Sequence, residues 1–149
     1  MNSRLYNGDC FDVMNNIQDK SVDMILCDLP YNCTAQEWDK EINFDLLWSQ
    51  YERIRKDDCP VVLFSSQPFT TKLINSNIKN FKYCWYWSKN QTTNFFHAKR
   101  MPLRKIEEIC VFYKHKYYPQ KSDGHIPTNS AKGCSNGKIY HGGNKRNYE

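Results

Sequence analysis

Two continuous apolar runs, residues 22–28 (VDMILCD) and 60–66 (PVVLFSS), constrain the fold of this 149-residue chain more than any other feature. Neither run alternates polar with apolar residues, so each reads as a parallel strand buried on both faces. Between them Phe44, Leu47, Trp48, Tyr51 and Ile54 recur at helical spacing, from Asn43 as a plausible N-cap to Lys56. Strand, helix and strand in that order make a βαβ unit. A second amphipathic stretch, Phe69, Leu73, Ile74 and Ile78, follows Pro68, which the first turn of a helix tolerates.

The flanking segments extend the pattern. Residues 4–9 can form a short strand leading into a helix over 11–17, where Phe11, Val13, Met14 and Ile17 are apolar. Later, Phe81, Tyr83, Trp85 and Trp87 alternate with period two, and residues 109–113 (ICVFY) form another aromatic and β-branched run, so two late strands are expected. The alternation predicts an α/β three-layer sandwich with a mainly parallel sheet, whose loop-bearing strand ends share one edge. Residues 1–116 form this part. Over 117–149 the periodicity gives way to Tyr, Pro, Lys, Gly, Asn and Ser, a loop-rich or partly disordered composition that makes no core alone.

Composition narrows the function. Residues 1–60 carry 6 Lys or Arg against 12 Asp or Glu, whereas 61–149 carry 15 against 4. A basic later part suits a polyanion, with nucleic acid as the leading candidate. The seven cysteines are scattered, odd in number and never spaced Cys-x-x-Cys, so they read as reduced thiols, and the four histidines show no ligand spacing; no metal is expected. No signal-like segment opens the chain and its apolar runs are too short to cross a bilayer, which predicts a cytoplasmic protein without a membrane partner.

The most informative tetrapeptide is Asp28-Leu29-Pro30-Tyr31, at the end of the first central strand. A carboxylate and a carbonyl held before a rigid proline can accept the two protons of an exocyclic amino group and aim its nitrogen lone pair at an electrophile. Tyr31 can stack on a base taken out of a duplex. By itself, a strand ending in Asp-x-Pro is an ordinary turn. Residues 89–105 (KNQTTNFFHAKRMPLRK) form a basic, aromatic-bearing connection suited to phosphate contact through Lys89, Lys99, Arg100, Arg104 and Lys105. Trp38, Trp85 and Trp87 read as core rather than as base-stacking residues.

Around the tetrapeptide the chain resembles the DNA amino-methyltransferases whose signature is Asp-Pro-Pro-Tyr, in the permuted group where the catalytic motif precedes the cofactor motif. The resemblance covers residues 5 to about 120. It runs through Leu5-Tyr6-Asn7-Gly8-Asp9-Cys10, the phrase 21–31, Trp38-Asp39, Ser65-Ser66-Gln67-Pro68-Phe69, Trp85-Tyr86-Trp87-Ser88-Lys89, Asn94-Phe95 with Ala98-Lys99, Met101-Pro102-Leu103-Arg104, and residues 108–114. It implies a Rossmann-like methyltransferase fold, S-adenosylmethionine as cofactor, double-stranded DNA as partner and amino methylation of adenine, in a bacterial cell or phage-infected host. Asp28, Leu29 through its carbonyl, Pro30 and Tyr31 would be catalytic. Asp9, at the adenosyl part, with Cys10 and Asp28, would bind the cofactor.

Two departures stand out. Leu29 replaces the family's first proline, and Ile106 stands before Glu107 where the family often has histidine. The family's Phe-x-Gly-x-Gly cofactor turn is absent, since Gly8 is the only glycine before residue 120. The fold is therefore expected to be incomplete at its C-terminal end, with 117–149 as the start of a target-recognition region. Three accounts follow: a truncated frame, a split enzyme completed by a second polypeptide, or a non-catalytic remnant that keeps DNA affinity. Methylation of RNA or protein by a related fold shares the tetrapeptide logic.

Overall fold

A computed structural model describes residues 3–34 and 36–120. The elements are α1 (Cys10–Met14), β1 (Ile25–Asp28), α2 (Phe44–Ile54), β2 (Val61–Ser65), α3 (Phe69–Ser76), β3 (Phe81–Thr93) and β4 (Arg104–Phe112). Single turns of 3₁₀-helix occupy Ile78–Asn80 and Phe95–His97. The expected βαβ unit is β1, α2 and β2: β1 and β2 pair in parallel, and Asn43 caps α2 by accepting the Leu46 N–H at 3.1 Å.

The four strands lie in the order β1-β2-β4-β3. The sheet is mixed rather than mainly parallel, because β4 runs antiparallel to both β2 and β3. Only residues 94–103 separate β3 from β4, too short a connection for the crossover that parallel pairing requires. Residues 4–9 form no strand: Asp9 instead caps α1, its Oδ1 accepting the Phe11 N–H at 2.8 Å. The helix it caps is shorter than the predicted span 11–17.

One sheet face and the three helices make the core. Ile25, Val61, Leu63, Cys110 and Phe112 pack against Met14, Leu47, Trp48, Tyr51, Ile54, Phe69 and Leu73. Trp48 anchors the contact, with its ring 4.8 Å from Phe112 and its indole N–H donating to Ser76 Oγ at 2.8 Å. On the opposite face, register aligns Asp28, Phe64, Ile109 and Trp85. All three α-helices belong to the first face, so the described residues supply two layers of the expected sandwich. Trp38, Trp85 and Trp87 are exposed, not core. Strand spacing fixes that Trp85 and Trp87 share a face with each other, but not what covers that face.

Arg53 ties the helices together. Its guanidinium donates to the Ile17 and Met14 carbonyls at 2.8 and 2.7 Å, to Asp19, and to Gln50 of its own helix. The carbonyls left open where α1 ends are thus partly satisfied from α2. The cysteines among the described residues, Cys10, Cys27, Cys33, Cys59, Cys84 and Cys110, are free. No helix of the described residues is long and apolar enough to cross a membrane, and none of their His, Cys, Asp and Glu side chains form a group of three or more placed to hold a metal.

Candidate active site

Parallel pairing puts the carboxyl ends of β1 and β2 at the same edge of the sheet, so Asp28 and Ser65 finish side by side. Ser65 pairs with Glu108 of β4, which leaves residues 104–107 projecting past the end of β2. There they continue to pair with β3, through Trp87 with Glu107, Ser88 with Ile106 and Thr93 with Arg104. The hairpin of β3 and β4 therefore extends past the end of β2, one strand over from β1, as a two-stranded wall.

Asp28 is exposed at this edge, and Leu29 turns its side chain into the core. Burial of that side chain fixes the backbone that carries the Leu29 carbonyl, with Pro30 restricting it from the other side. The Tyr31 hydroxyl donates to Asp28 Oδ1 at 2.8 Å, and its ring stacks on Phe69, with centroids 5.1 Å apart and planes 28° from parallel. Burial first, then the hydrogen bond to Asp28 and the charges of Asp28 and Glu107, push the Tyr31 phenol above its ordinary range, so it stays a donor.

Tyr31, Cys33 and Thr34 line both of two openings. One, of about 280 Å³, is lined by Asp28, Leu29, Pro30, Tyr31, Trp38 and Asp39 among others. The other, of about 470 Å³, lies between Tyr31 and the hairpin, with Ser66, Lys89, Asn94, His97, Arg104 and Glu107 on its sides. The four residues of the tetrapeptide thus meet in space, and Lys89, Arg104 and Lys105 join Tyr31 at the larger opening.

The loop after Tyr31 is held by a residue to which the sequence reading gave no role. The Asp39 carboxylate accepts the backbone N–H groups of Asn32, Cys33 and Thr34 at 2.6, 2.8 and 2.6 Å. Burial works to raise its pKa, but the Thr34 hydroxyl and the amides of Thr34, Cys33 and Asn32 outweigh it and hold the group down at about 2. Asn32 adopts the left-handed conformation, φ 53°, that this turn requires. The signal in the sequence was an acidic residue closing a short polar loop, a pattern that fits many surface turns equally well.

Other expected site residues are placed differently. Asp9 and Cys10 are exposed at the start of α1, and neither lines the two openings that share Tyr31. Burial pushes both the Cys10 and the Cys27 thiols up, so both stay neutral. Lys89 pairs with Glu107 inside the larger opening, with its Nζ 5.6 Å from the Trp87 ring centroid, so its charge is already matched. Lys99, Arg100, Arg104 and Lys105 are exposed on the hairpin. The expected target-recognition region lies mostly outside the described residues, as does Cys134.

The chain matches no protein-family model and no curated protein. Among solved structures it is similar to M1.HpyAVI in complex with SAM, at 21% identity over 82% of this chain and 62% of that one, with a TM-score of 0.56. The cytosine-N4-specific PvuII DNA methyltransferase shares 14% identity over 72% of this chain and 48% of its own, with a TM-score of 0.54. A candidate DNA modification methylase from Thermus thermophilus shares 18% identity over 78% and 54%, with a TM-score of 0.52. The chain thus spans less than two thirds of the length of each of these proteins. Across that span it has their α/β fold.

Proposed function

We propose that this chain carries the catalytic-motif part of an S-adenosylmethionine-dependent DNA methyltransferase acting on the exocyclic amino group of adenine. The observation that carries the reading is the grouping of Asp28, the Leu29 carbonyl, Pro30 and Tyr31 at the carboxyl end of a parallel strand, beside an opening walled by basic residues. The likeness in fold to M1.HpyAVI, solved with SAM, supports the cofactor, and likeness to a cytosine-N4 enzyme leaves adenine resting on the initial aspartate of the tetrapeptide.

Chemically, the tetrapeptide positions rather than deprotonates. Asp28 and the Leu29 carbonyl accept the two amino protons, so the nitrogen lone pair points away from both. A carboxylate has about four acceptor sites, so Asp28 can hold the Tyr31 hydroxyl and an amino proton together. Tyr31 offers the base the ring face not stacked on Phe69. S-adenosylmethionine, when bound, would supply an electrophilic methyl carbon and leave as its neutral thioether as the carbon–sulfur bond breaks; Asp28 would then take the surplus amino proton and pass it to water. Asp9 and Cys10 fit the adenosyl end, being exposed polar groups at the start of α1.

A second reading has its own observation: β1 lies at the edge of the sheet and pairs, among the described residues, only with β2 and not with a further strand. An open edge of this kind suits one half of a split methyltransferase that a second polypeptide completes, or a DNA-binding remnant without catalysis. The test is transfer of labelled methyl from S-adenosylmethionine to unmethylated duplex DNA by this chain and by Asp28→Ala, followed by identification of the modified base. Labelled adenine with the wild type alone supports the proposal, and labelled cytosine moves the substrate. Absence of label from both proteins favours the second reading.

A further inference from the structure

The tip of the β3 and β4 hairpin carries two adjacent aromatic side chains that nothing in the core explains. Phe96 is fully exposed and Phe95 is 63% exposed. Exposed rings side by side are costly in water, and here they sit among cations: Lys99, Arg100, Arg104 and Lys105 are exposed on the same hairpin, and no acidic residue occurs from 59 to 106.

The tip is also built rather than slack. His97 N–H donates to the Asn94 carbonyl at 3.0 Å and Ala98 N–H to that of Phe95 at 3.1 Å, while Arg100 and Met101 both donate to the His97 carbonyl, at 2.8 and 3.0 Å. The Asn94 amide closes the loop on Met101 Sδ at 3.1 Å, and Asn94 itself takes the left-handed conformation, φ 75°. Successive turns of this kind fix where Phe96 is presented. Asn94, His97 and Met101 at the foot of the tip line the opening that also contains Tyr31.

We infer that Phe96, with Phe95 beside it in the chain, is an apolar wedge that enters the base stack of duplex DNA beside the nucleotide delivered to Tyr31. The inference rests on the proposed action on DNA and adds a residue and a step to it. The cations that follow the tip, Lys99, Arg100, Arg104 and Lys105, neutralise phosphates, and the aromatic ring beside them takes the space of a base that leaves the stack. Charge complementarity selects a nucleic acid, and one ring projecting from a hydrogen-bonded turn, unlike a flat row of rings, suits the stacked pairs of a duplex over a single strand.

The test measures binding of the full chain to a fluorescent random-sequence DNA duplex and to the matching single strand, across a salt series, for wild type, Phe96→Ala, Phe96→Trp and Lys99→Ala/Arg100→Ala. Phe96→Ala is expected to weaken duplex binding about tenfold with an unchanged salt slope, the loss of one aromatic–base contact. The double basic variant should instead flatten the slope by nearly two. The added indole of Phe96→Trp should be quenched by duplex beyond any change in wild type. Equal duplex affinity for wild type and Phe96→Ala, or no added quenching in Phe96→Trp, overturns the wedge while leaving action on DNA intact. Tighter binding to the single strand, or to an RNA duplex, also overturns it. Failure of wild type to bind any duplex sinks the wedge and the DNA reading together.

Discussion

The Tyr31 hydroxyl donates to Oδ1 of Asp28 at 2.8 Å while the Tyr31 ring lies on Phe69. One side chain therefore orients the carboxylate and offers a stacking face, and the two tasks can be separated by mutation. Tyr31→Phe keeps the ring and removes the donor; single-turnover methyl transfer is expected to fall about ten- to a hundredfold, the size of one hydrogen bond to a charged group, roughly 1.5–3 kcal/mol. Tyr31→Ala loses the stacking face as well and should fall by a further factor of about ten. Equal rates for Tyr31→Phe and wild type would show that Asp28 needs no orienting partner.

Asp39 governs the loop in a different way, through three main-chain amides. Its pKa is held at about 2 in the folded chain, below the ordinary aspartate value of 3.8. A depressed folded-state pKa contributes stability above the unfolded value, and that contribution is lost as pH falls through the folded one. Loop order should therefore decay from about pH 4 down to about pH 2. In Asp39→Asn, the protection factors for amide exchange at Cys33 and Thr34 should fall at neutral pH and no longer change between about pH 4 and about pH 2, whereas protection in α2 should be unchanged.

Tyr113 predicts behaviour at the other end of the scale. Its side chain is buried, with the Arg55 guanidinium 3.8 Å over the ring and Asn77 Nδ2 donating to its hydroxyl at 3.2 Å. Burial, reinforced by Glu52 and opposed by Asn77 and Arg55, raises its pKa to about 12. Because the folded value lies above the unfolded one near 10, this contribution to stability is complete below pH 10 and is lost as pH rises toward 12. Urea midpoints measured from pH 9 to 12 should fall more steeply for wild type than for Tyr113→Phe.

Leu46 and Leu47 are neighbours in α2 with opposite fates, since Leu47 is 1% exposed and Leu46 is 41% exposed. Leu47→Ala opens a cavity against the sheet and should cost about 2–5 kcal/mol. Leu46→Ala removes surface area only and should stay within about 0.5 kcal/mol. Thermal melts of both variants check the orientation of the helix.

Arg53→Lys tests the link between α1 and α2. Lysine cannot reach both the Met14 and Ile17 carbonyls as the guanidinium fork does. A loss of about 1–3 kcal/mol is expected in urea denaturation. Because α1 begins at Cys10, beside Asp9, a weaker S-adenosylmethionine affinity in calorimetry should accompany it under the role proposed for these two residues.

The βαβ unit was legible because burial on both faces leaves an unbroken apolar run, and because Asn43 marks a helix start that the structure confirms at the Leu46 amide. Strand direction was not legible: the period-two pattern of Phe81, Tyr83 and Trp85 is the same whichever way β4 runs beside it. For the same reason Trp85 and Trp87 were expected in the core, whereas the helices cover the other face. The tetrapeptide stood out since its residue types state their chemistry. Asp39 and Phe96 did not, because their importance lies in what the fold puts around them, three amides for one and open solvent among cations for the other.

Leu29 has a side chain in the core and a carbonyl at the edge of the sheet. Every residue type has that carbonyl, so selection for the proposed chemistry cannot see which side chain stands there. Only the packing can. Position 29 should then drift among apolar residues that fill the same volume, leucine and proline included, while Asp28 next to it stays fixed. A family signature written in letters would register such drift as a broken motif, although the reacting surface had not changed.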